Sequence, residues 1–283
     1  MSGDISLHGK TALVTGGGAG IGKAGCLRFG RGGARVVVAD LDLSKAEEVA
    51  LTLRNEGCQA IAVGCDVRDA KSVESMVDAV LSEFGRLDVF FHNAMNVQLV
   101  NNRDARCPDL EDEVWQEIIQ LVLTGTFYCC KHVSRAMFRT KGGSIILTAT
   151  VDALIGQAGL DAYSAAKGGV IAMTRSLAAG VAADGIRVNA ICPGFVRTEA
   201  QRYWMDDAIA FQSIRNMHLL EVPGPDEIAS FAAFLASDLA KAMTGGIHPV
   251  DAGYLAFKGR ETMNLIQQNK PKDISDSSMG RTP

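Results

Sequence analysis

The chain alternates short β-branched runs with longer helical stretches from its beginning to about residue 253. The runs are TALVT (11–15), RVVVAD (35–40), AIAVGCDV (60–67), LDVFFH (87–92), GSIILTAT (143–150) and IRVNAIC (186–192), and a last one is expected within GGIHPVDAG (245–253). They are continuously apolar, which is typical of strands covered on both faces. Helical segments such as 44–57 and 70–85 separate them and end at glycine. The pattern predicts an α/β fold with about seven parallel strands and helices on both faces.

The first predicted strand runs directly into a glycine-rich turn, TGGGAGIG (15–22). Gly16, Gly20 and Gly22 stand where strand gives way to helix. Glycine there lets the backbone approach a pyrophosphate, and the helix N-terminus supplies amide donors and a favourable dipole. Such a turn alone can be a plain tight turn. Here a strand precedes it, a helix follows, and an acidic residue, Asp40, ends the second strand, so we predict a dinucleotide site.

Asp40 is placed to choose between the two nicotinamide cofactors. A carboxylate after the second strand can accept hydrogen bonds from both ribose hydroxyls, and it repels a 2′-phosphate. Leu41 and Asp42 follow it instead of arginine, and residues 16–22 contain no basic side chain. These observations favour NAD over NADP. Alternatively, Asp40 caps the next helix, a role that Asp42 or Ser44 can also fill.

The composition excludes several classes of function. The net charge is -4 over 283 residues and the basic residues are dispersed, so we expect no nucleic-acid or membrane partner. No stretch is apolar enough for a signal peptide or a membrane span. Seven cysteines without a C-x-x-C pair indicate reduced thiols and a cytoplasmic protein, and without a His-x-x-x-His pair we expect no metal site. We predict one domain over 1–260 and a polar tail or arm over 261–283.

Five further motifs follow the glycine-rich turn. They are DV (66–67), HNAM (92–95), Tyr163-x-x-x-Lys167, PGFVRT (193–198) and GGIHPVDAG (245–253). In this order, over about residues 9–257, the chain resembles the classical short-chain dehydrogenase/reductase family. The resemblance implies a single doubly wound Rossmann-like domain, a small-molecule alcohol or ketone as substrate, and a homo-oligomer, either a tetramer or a dimer. With the residues around Asp40, we predict NAD as the cofactor.

The resemblance also implies where the cofactor lies. Asp66 and Val67 would contact the adenine, and Asn93 and Ala94 would lie along the adenosine ribose. The backbone of Val196 and the hydroxyl of Thr198 would hold the carboxamide. The implied cofactor-binding set is Gly16, Gly18, Gly20, Ile21, Gly22, Asp40, Leu41, Asp66, Val67, Asn93, Ala94, Tyr163, Lys167, Pro193, Val196 and Thr198.

Tyr163 and Lys167 stand four residues apart, on one face of a predicted helix. An ammonium near a phenol favours the phenolate. Lowering a tyrosine pKa from about 10 to about 7 requires roughly 4 kcal/mol, which a buried cation and an oxidised nicotinamide can supply together. The resemblance implies that Tyr163 takes the alcohol proton during hydride transfer, while Lys167 also binds the nicotinamide ribose. The alternative is an ordinary surface pair.

Four residues depart from the family pattern. Thr150 stands where the family has serine and keeps the hydroxyl that orients the substrate oxygen. Val122 stands where the family has an asparagine that relays protons, and valine cannot form hydrogen bonds. His92 and Met95 replace the usual asparagine and glycine beside the cofactor. Either a backbone-held water replaces the relay or turnover is slow, which leaves open an NAD(H)-binding scaffold or sensor with weak or lost catalysis.

Two segments are predicted to line the substrate pocket. Residues 96–115 form a long, polar connection, and residues 199–220 are helical and rich in aromatic side chains. The predicted substrate-binding residues are Met95, Thr150, Tyr163, Tyr203 and Trp204. Alternatively, Met95 fills a gap in the core, and the two aromatic residues belong to the core or to a subunit contact. We predict a medium-sized, largely apolar secondary alcohol or its ketone, with the direction of reaction left open.

Overall fold

The computed structural model describes residues 5–256, so the predicted tail over 261–283 and the predicted domain end at 260 lie outside the described residues. One parallel sheet organises this part of the chain. Its order is β3-β2-β1-β4-β5-β6-β7. The strands are β1 Thr11–Thr15, β2 Arg35–Asp40, β3 Ala60–Gly64, β4 Val89–His92, β5 Gly143–Thr148, β6 Ile186–Pro193 and β7 Ile247–Val250. The predicted seven-stranded doubly wound fold is therefore confirmed.

Helices connect these strands and cover both faces of the sheet. They are α1 Gly20–Arg31, α2 Leu43–Asn55, α3 Ala70–Phe84, α4 Val97–Arg103, α5 Asp112–Ile119, α6 Gly125–Thr140, α7 Asp161–Val181, α8 Arg202–Asp206, α9 Ala208–Asn216 and α10 Pro225–Ala236. Within residues 5–256, none of them is long and apolar enough to cross a lipid bilayer.

Two apolar cores explain why the strands are continuously hydrophobic. One core packs α3, α6 and α7 against one face of the sheet, and the other packs α1, α2 and α10 against the opposite face. In β1, Leu13 belongs to the first core, whereas Ala12 and Val14 belong to the second. Successive side chains of a strand point to opposite faces, so each strand needs apolar residues at every position.

Strands β1 and β4 mark the point where the order of the chain reverses. From β1 the chain moves outward to β2 and β3, and then crosses back to β4 on the other side of β1. Thr15 at the end of β1 pairs with His92 at the end of β4. In open α/β sheets, ligands bind in the crevice beyond the carboxyl ends of the strands at this switch point.

Two predicted strands end earlier than the sequence pattern suggested. The runs over 60–67 and 143–150 leave the sheet at Gly64 and Thr148. The residues that follow, Asp66 and Thr150, are those predicted to reach a ligand. The apolar pattern continues past the sheet because Val67 and Val151 remain buried in the core while the backbone turns.

Candidate active site

The glycine-rich turn after β1 is tight enough to require glycine. Gly16 and Gly20 have φ of +62° and +50°. A Cβ on Gly22 would lie 2.1 Å from the carbonyl oxygen of Gly16, and one on Gly20 would lie 3.4 Å from Thr198 Cγ2. The turn thus faces the loop after β6 across the crevice, and α1 begins at Gly20, with Ile21 in its first turn. A bare-backbone cradle at a helix N-terminus fits the pyrophosphate of a dinucleotide.

Asp40 faces this turn and does not cap α2. Its Oδ2 accepts from the Gly18 amide at 2.9 Å, and its Oδ1 accepts from the Asp42 amide at 3.0 Å. Asp42 is the N-cap residue and accepts from the Ser44 amide. The cap alternative for Asp40 is therefore wrong. Each carboxylate oxygen keeps a further lone pair for a ribose hydroxyl, and the side chain of Leu41 is exposed beside it.

The adenine side contains a contact that the sequence reasoning missed. Arg68 donates from Nε to both oxygens of the Asp66 carboxylate, at 2.9 and 3.2 Å, and from Nη2 to Oδ2 at 2.8 Å. These bonds lower the pKa of Asp66. Val67 is buried, and a Cβ on Gly125 of α6 would lie 3.0 Å from Val67 Cγ2. An adenine amine that reaches Asp66 would have to share the carboxylate with Arg68.

The end of β4 carries a buried polar network. His92 Nδ1 lies 2.7 Å from the Thr15 hydroxyl, and burial lowers the pKa of His92 to about 3, so the imidazole is neutral. Asn93 Oδ1 accepts from the Thr148 hydroxyl at 2.6 Å. This hydrogen bond holds the side chain of Asn93 against the end of β5. Ala94 and Met95 are half-buried and pack against the core, which agrees with the gap-filling alternative for Met95.

Lys167 is buried on α7 and contacts the end of β5. Its ammonium donates to the Thr148 carbonyl at 2.6 Å and lies 5.9 Å from the centre of the Tyr163 ring. Only 5% of the side chain is exposed, and burial lowers its pKa to about 8. Lys167 and Asn93 are therefore linked through the two polar groups of Thr148.

Tyr163 is half-buried, which affects its electrostatics. Removal of the phenol from water raises the pKa of Tyr163 above its usual value, and a hydrogen bond with Thr150 only partly opposes this. Desolvation penalises the phenolate, while the Lys167 ammonium makes its close contact with a carbonyl oxygen. Activation of Tyr163 by Lys167 and an oxidised nicotinamide together stays a prediction.

Thr150 is paired with a carboxylate that the sequence reasoning overlooked. Its hydroxyl donates to Asp152 Oδ2 at 3.0 Å and accepts from the Asp152 amide at 3.2 Å. Thr150 thereby caps the short turn Val151–Ala153 that follows β5. Burial raises the pKa of Asp152. The sequence contains one indication of this pair, because Asp152 stands two positions after Thr150, the residue expected to orient the substrate oxygen.

Val122 lies in a π-helical segment, Gln120–Thr124, between α5 and α6. Its side chain is buried, and its carbonyl accepts a hydrogen bond from the Thr126 hydroxyl. Single-turn π segments are frequent at functional sites. The sequence pattern missed this segment, because its apolar spacing differs little from that of an α-helix.

The segment 96–115 is folded and attached to the start of α7. It contains α4, capped by Asn96. Asp104 accepts hydrogen bonds from the amides of Ala162 and Tyr163 at 3.2 and 2.9 Å, and Asp161 accepts from the Cys107 amide at 2.8 Å. The prediction of a long connection thus missed a reciprocal clamp on the N-terminus of α7.

The remaining predicted residues divide between the crevice and the surface. Pro193 ends β6, Val196 is buried, and the Thr198 amide donates to the Val196 carbonyl at 2.8 Å. The helical prediction over 199–220 agrees with α8 and α9. Tyr203 and Trp204 on α8 pack edge to face, yet 78% and 39% of their surfaces are exposed, so they are not enclosed with Tyr163.

Comparisons with known proteins agree with this geometry. The family model described as Enoyl-(Acyl carrier protein) reductase matches residues 16–255. A solved structure of a short-chain type dehydrogenase/reductase from Mycobacterium ulcerans has a TM-score of 0.85 and 27% identity, covering 93% of this chain and 96% of that chain. The chain is a classical short-chain dehydrogenase/reductase.

Two relatives share more of their sequence with this dehydrogenase/reductase. It is 38% identical over 247 residues to cis-4-hydroxycyclohexanecarboxylate dehydrogenase of Sinomonas cyclohexanicum, covering 87% of this chain and 97% of that protein. It is 36% identical over 251 residues to D-threitol dehydrogenase of Mycolicibacterium smegmatis, covering 89% and 95%. This dehydrogenase/reductase is thus an oxidoreductase of a family that uses a nicotinamide cofactor, NAD or NADP.

Proposed function

We propose that this dehydrogenase/reductase is an NAD-dependent enzyme that interconverts a medium-sized, largely apolar secondary alcohol and its ketone. The observation that carries the proposal is the meeting of Thr150, Tyr163 and Lys167 at the carboxyl edge of the sheet, beside the glycine-rich turn. The two relatives are dehydrogenases of small hydroxyl-bearing molecules. They support an alcohol as the substrate class.

The residues divide the chemistry between them. The nicotinamide cofactor, when bound, supplies the hydride acceptor for oxidation and the donor for reduction. Tyr163 exchanges a proton with the substrate oxygen through its phenol oxygen, and the Thr150 hydroxyl orients that oxygen. With a pKa of about 8, Lys167 is mostly protonated at pH 7. Its charge and that of the oxidised cofactor together oppose the desolvation penalty on the Tyr163 phenolate.

The preference for NAD rests on the Asp40 carboxylate. A 2′-phosphate would meet its negative charge beside the Gly18 amide, and like charges brought together at an interface cost several kcal/mol. We expect Asp40→Asn to improve kcat/KM with NADP by roughly tenfold to hundredfold relative to NAD. Asp42→Asn, which removes the same charge at the cap of α2, is the control and keeps the wild-type preference. An unchanged preference in Asp40→Asn would refute this role.

The second candidate function is an NAD(H)-binding scaffold or sensor with weak or lost catalysis. Val122 favours it, because a valine stands where a proton-relaying side chain was expected. A panel of alcohols with NAD and of ketones with NADH, followed by nicotinamide absorbance, separates the two functions. Turnover supports the enzyme and shows its favoured direction. NADH binding without turnover anywhere in the panel supports the scaffold.

We also infer a cytoplasmic homo-oligomer, either a dimer or a tetramer. Trp115 of α5 and Phe127 of α6 are 42% and 49% exposed and are not enclosed by the described part of the chain. Exposed large apolar side chains on neighbouring helices favour a protein interface. All seven cysteines are free thiols, which agrees with a reducing compartment. Light scattering after size exclusion tests the assembly, and a monomer at micromolar concentration would contradict it.

A further inference from the structure

Asp152 is a half-buried carboxylate beside the two groups proposed to handle the substrate oxygen. One of its oxygens, Oδ2, accepts from the Thr150 hydroxyl at 3.0 Å. Its negative charge acts on the phenol of Tyr163 and on that of Tyr254, in the turn Tyr254–Ala256. Asp152 therefore lies beside the residues proposed to handle the substrate oxygen.

The carboxylate is only partly satisfied within the described part of the chain. Thr150 is the one donor that residues 5–256 provide to it, and none of the ion pairs in that range includes it. Oδ1 has no donor there, although a carboxylate has about four acceptor positions. Asp152 Oδ1 is not enclosed by the described part of the chain, so it is open to a donor from water or from a bound ligand.

The negative charge of Asp152 also disfavours the form of Tyr163 that would accept a proton. The Asp152 charge raises the pKa of Tyr163, which opposes formation of the phenolate. A substrate hydroxyl or ammonium group that donates a hydrogen bond to Asp152 would weaken the effect of this charge on Tyr163 while the substrate is bound. The ionisable groups around Asp152 and Tyr163 include Lys167 and Arg175 on α7, Cys192 in β6, Asp251 after β7, and Tyr254. The His218 ring packs against Tyr254 at a tilted angle.

We propose that Asp152 is a specificity-determining residue that selects alcohols carrying a second hydrogen-bond donor, a hydroxyl or an ammonium group, near the reacting carbon. It disfavours substrates with a carboxylate at that position, because two unpaired negative charges would be brought together. The inference rests on the proposed function. It narrows the proposed substrate class to largely apolar alcohols that carry a hydrogen-bond donor at one end.

Binding tests the inference without requiring turnover. Calorimetric titrations of protein saturated with NADH compare cyclohexanol with trans-1,2-cyclohexanediol, which differ by one hydroxyl. A hydrogen bond to a charged group predicts that the wild type binds the diol roughly tenfold to hundredfold more tightly. Asp152→Asn keeps an acceptor for Thr150 and should lose most of that preference. Asp184→Asn removes an exposed carboxylate before β6 and should keep it.

A kinetic readout distinguishes recognition from a purely structural role. For any alcohol that is turned over, Asp152→Asn should move the basic-group limb of the kcat/KM profile to lower pH, since it removes a negative charge that acts on Tyr163. A residue that only caps a turn would lower the rate without moving the limb. Asp184→Asn should leave the profile unchanged.

The outcomes separate the inference from the proposed function. Equal affinities for diol and cyclohexanol in the wild type, or a preference kept in Asp152→Asn, overturn the role of Asp152. A diol preference that depends on Asp152 in a protein with no turnover supports the role of Asp152 and contradicts the proposed enzyme.

Discussion

The proposed cofactor side and the proposed substrate side of the crevice are built from different kinds of contact. On the cofactor side, backbone positions at strand ends do most of the work, as in the turn where Gly22 faces the Gly16 carbonyl. On the substrate side, side chains join segments far apart in sequence, as where Asp104 accepts from the Tyr163 amide. Where backbone atoms pack closely, a substitution with a larger residue distorts the whole turn. Where side chains form the contacts, one substitution removes one or two hydrogen bonds.

The largest effect is expected at Gly22. In Gly22→Ala the new methyl group would lie 2.1 Å from a backbone oxygen, which cannot move away without distorting the turn. We expect loss of measurable NADH binding and a destabilisation of about 3 kcal/mol or more. Fluorescence titration and chemical denaturation measure the two effects.

Gly180→Ala is the matched control for this substitution. Gly180 lies inside α7, and a Cβ there meets nothing within 4 Å. This variant should gain about 0.5–1 kcal/mol from helix propensity and bind NADH normally. Normal NADH binding by Gly22→Ala would show that the turn is not the rigid cradle described above.

Lys167 should show opposite effects on activity and stability. Lys167→Met removes the charge that assists Tyr163, so turnover should fall by roughly 10²–10⁴-fold. The pKa of about 8, against 10.5 for a free lysine, corresponds to a burial penalty of about 3 kcal/mol at pH 7. Loss of the hydrogen bond to the Thr148 carbonyl costs about 1–2 kcal/mol of stability and offsets part of the gain from removing the buried charge. The variant should therefore be about 1–2 kcal/mol more stable than the wild type.

The stability difference between Lys167→Met and the wild type should depend on pH. The folded wild type releases the Lys167 proton near pH 8, whereas the unfolded chain holds it to about pH 10.5. Unfolding then takes up a proton, so the stability contribution of Lys167 rises between these values. The advantage of Lys167→Met should shrink over the same window. Lys131→Met, at an exposed site on α6, should show neither effect; a less stable Lys167→Met at pH 7 would contradict the burial argument.

Asp104 should give the smallest effect and the clearest contrast between the two sides. Asp104→Ala removes the acceptor for the Ala162 and Tyr163 amides, which should cost about 1 kcal/mol of stability. Because Tyr163 itself loses a contact, kcat should fall by about tenfold.

Asp69→Ala removes the acceptor of the Lys71 amide at the start of α3 and serves as the control. It should cost a similar stability but leave kcat unchanged. Equal kcat values in the two variants would show that the clamp holds only the fold, and that the substrate side does not depend on it for catalysis.

The sequence predicted those parts of the molecule that local patterns determine. The strands follow from continuous apolar runs, and the glycine-rich turn follows from residues adjacent in the chain. The clamp at Asp104 joins positions 58 residues apart, so no local pattern marks it. Asp152 adjoins Thr150 in sequence, but its significance depends on burial next to Tyr163. The desolvation that raises the pKa of Tyr163 is not marked by a local pattern either, because it is set by the complete fold.

The proton transfer by Tyr163 is tested most directly by Tyr163→Phe. Turnover of an alcohol identified in the panel is measured by nicotinamide absorbance, and NADH binding is measured by fluorescence on the same samples. Tyr128→Phe on α6 makes the same chemical change away from the proposed site and should keep full activity. We predict that Tyr163→Phe loses roughly 10²–10⁴-fold in kcat while still binding NADH. Full turnover by Tyr163→Phe would contradict the account.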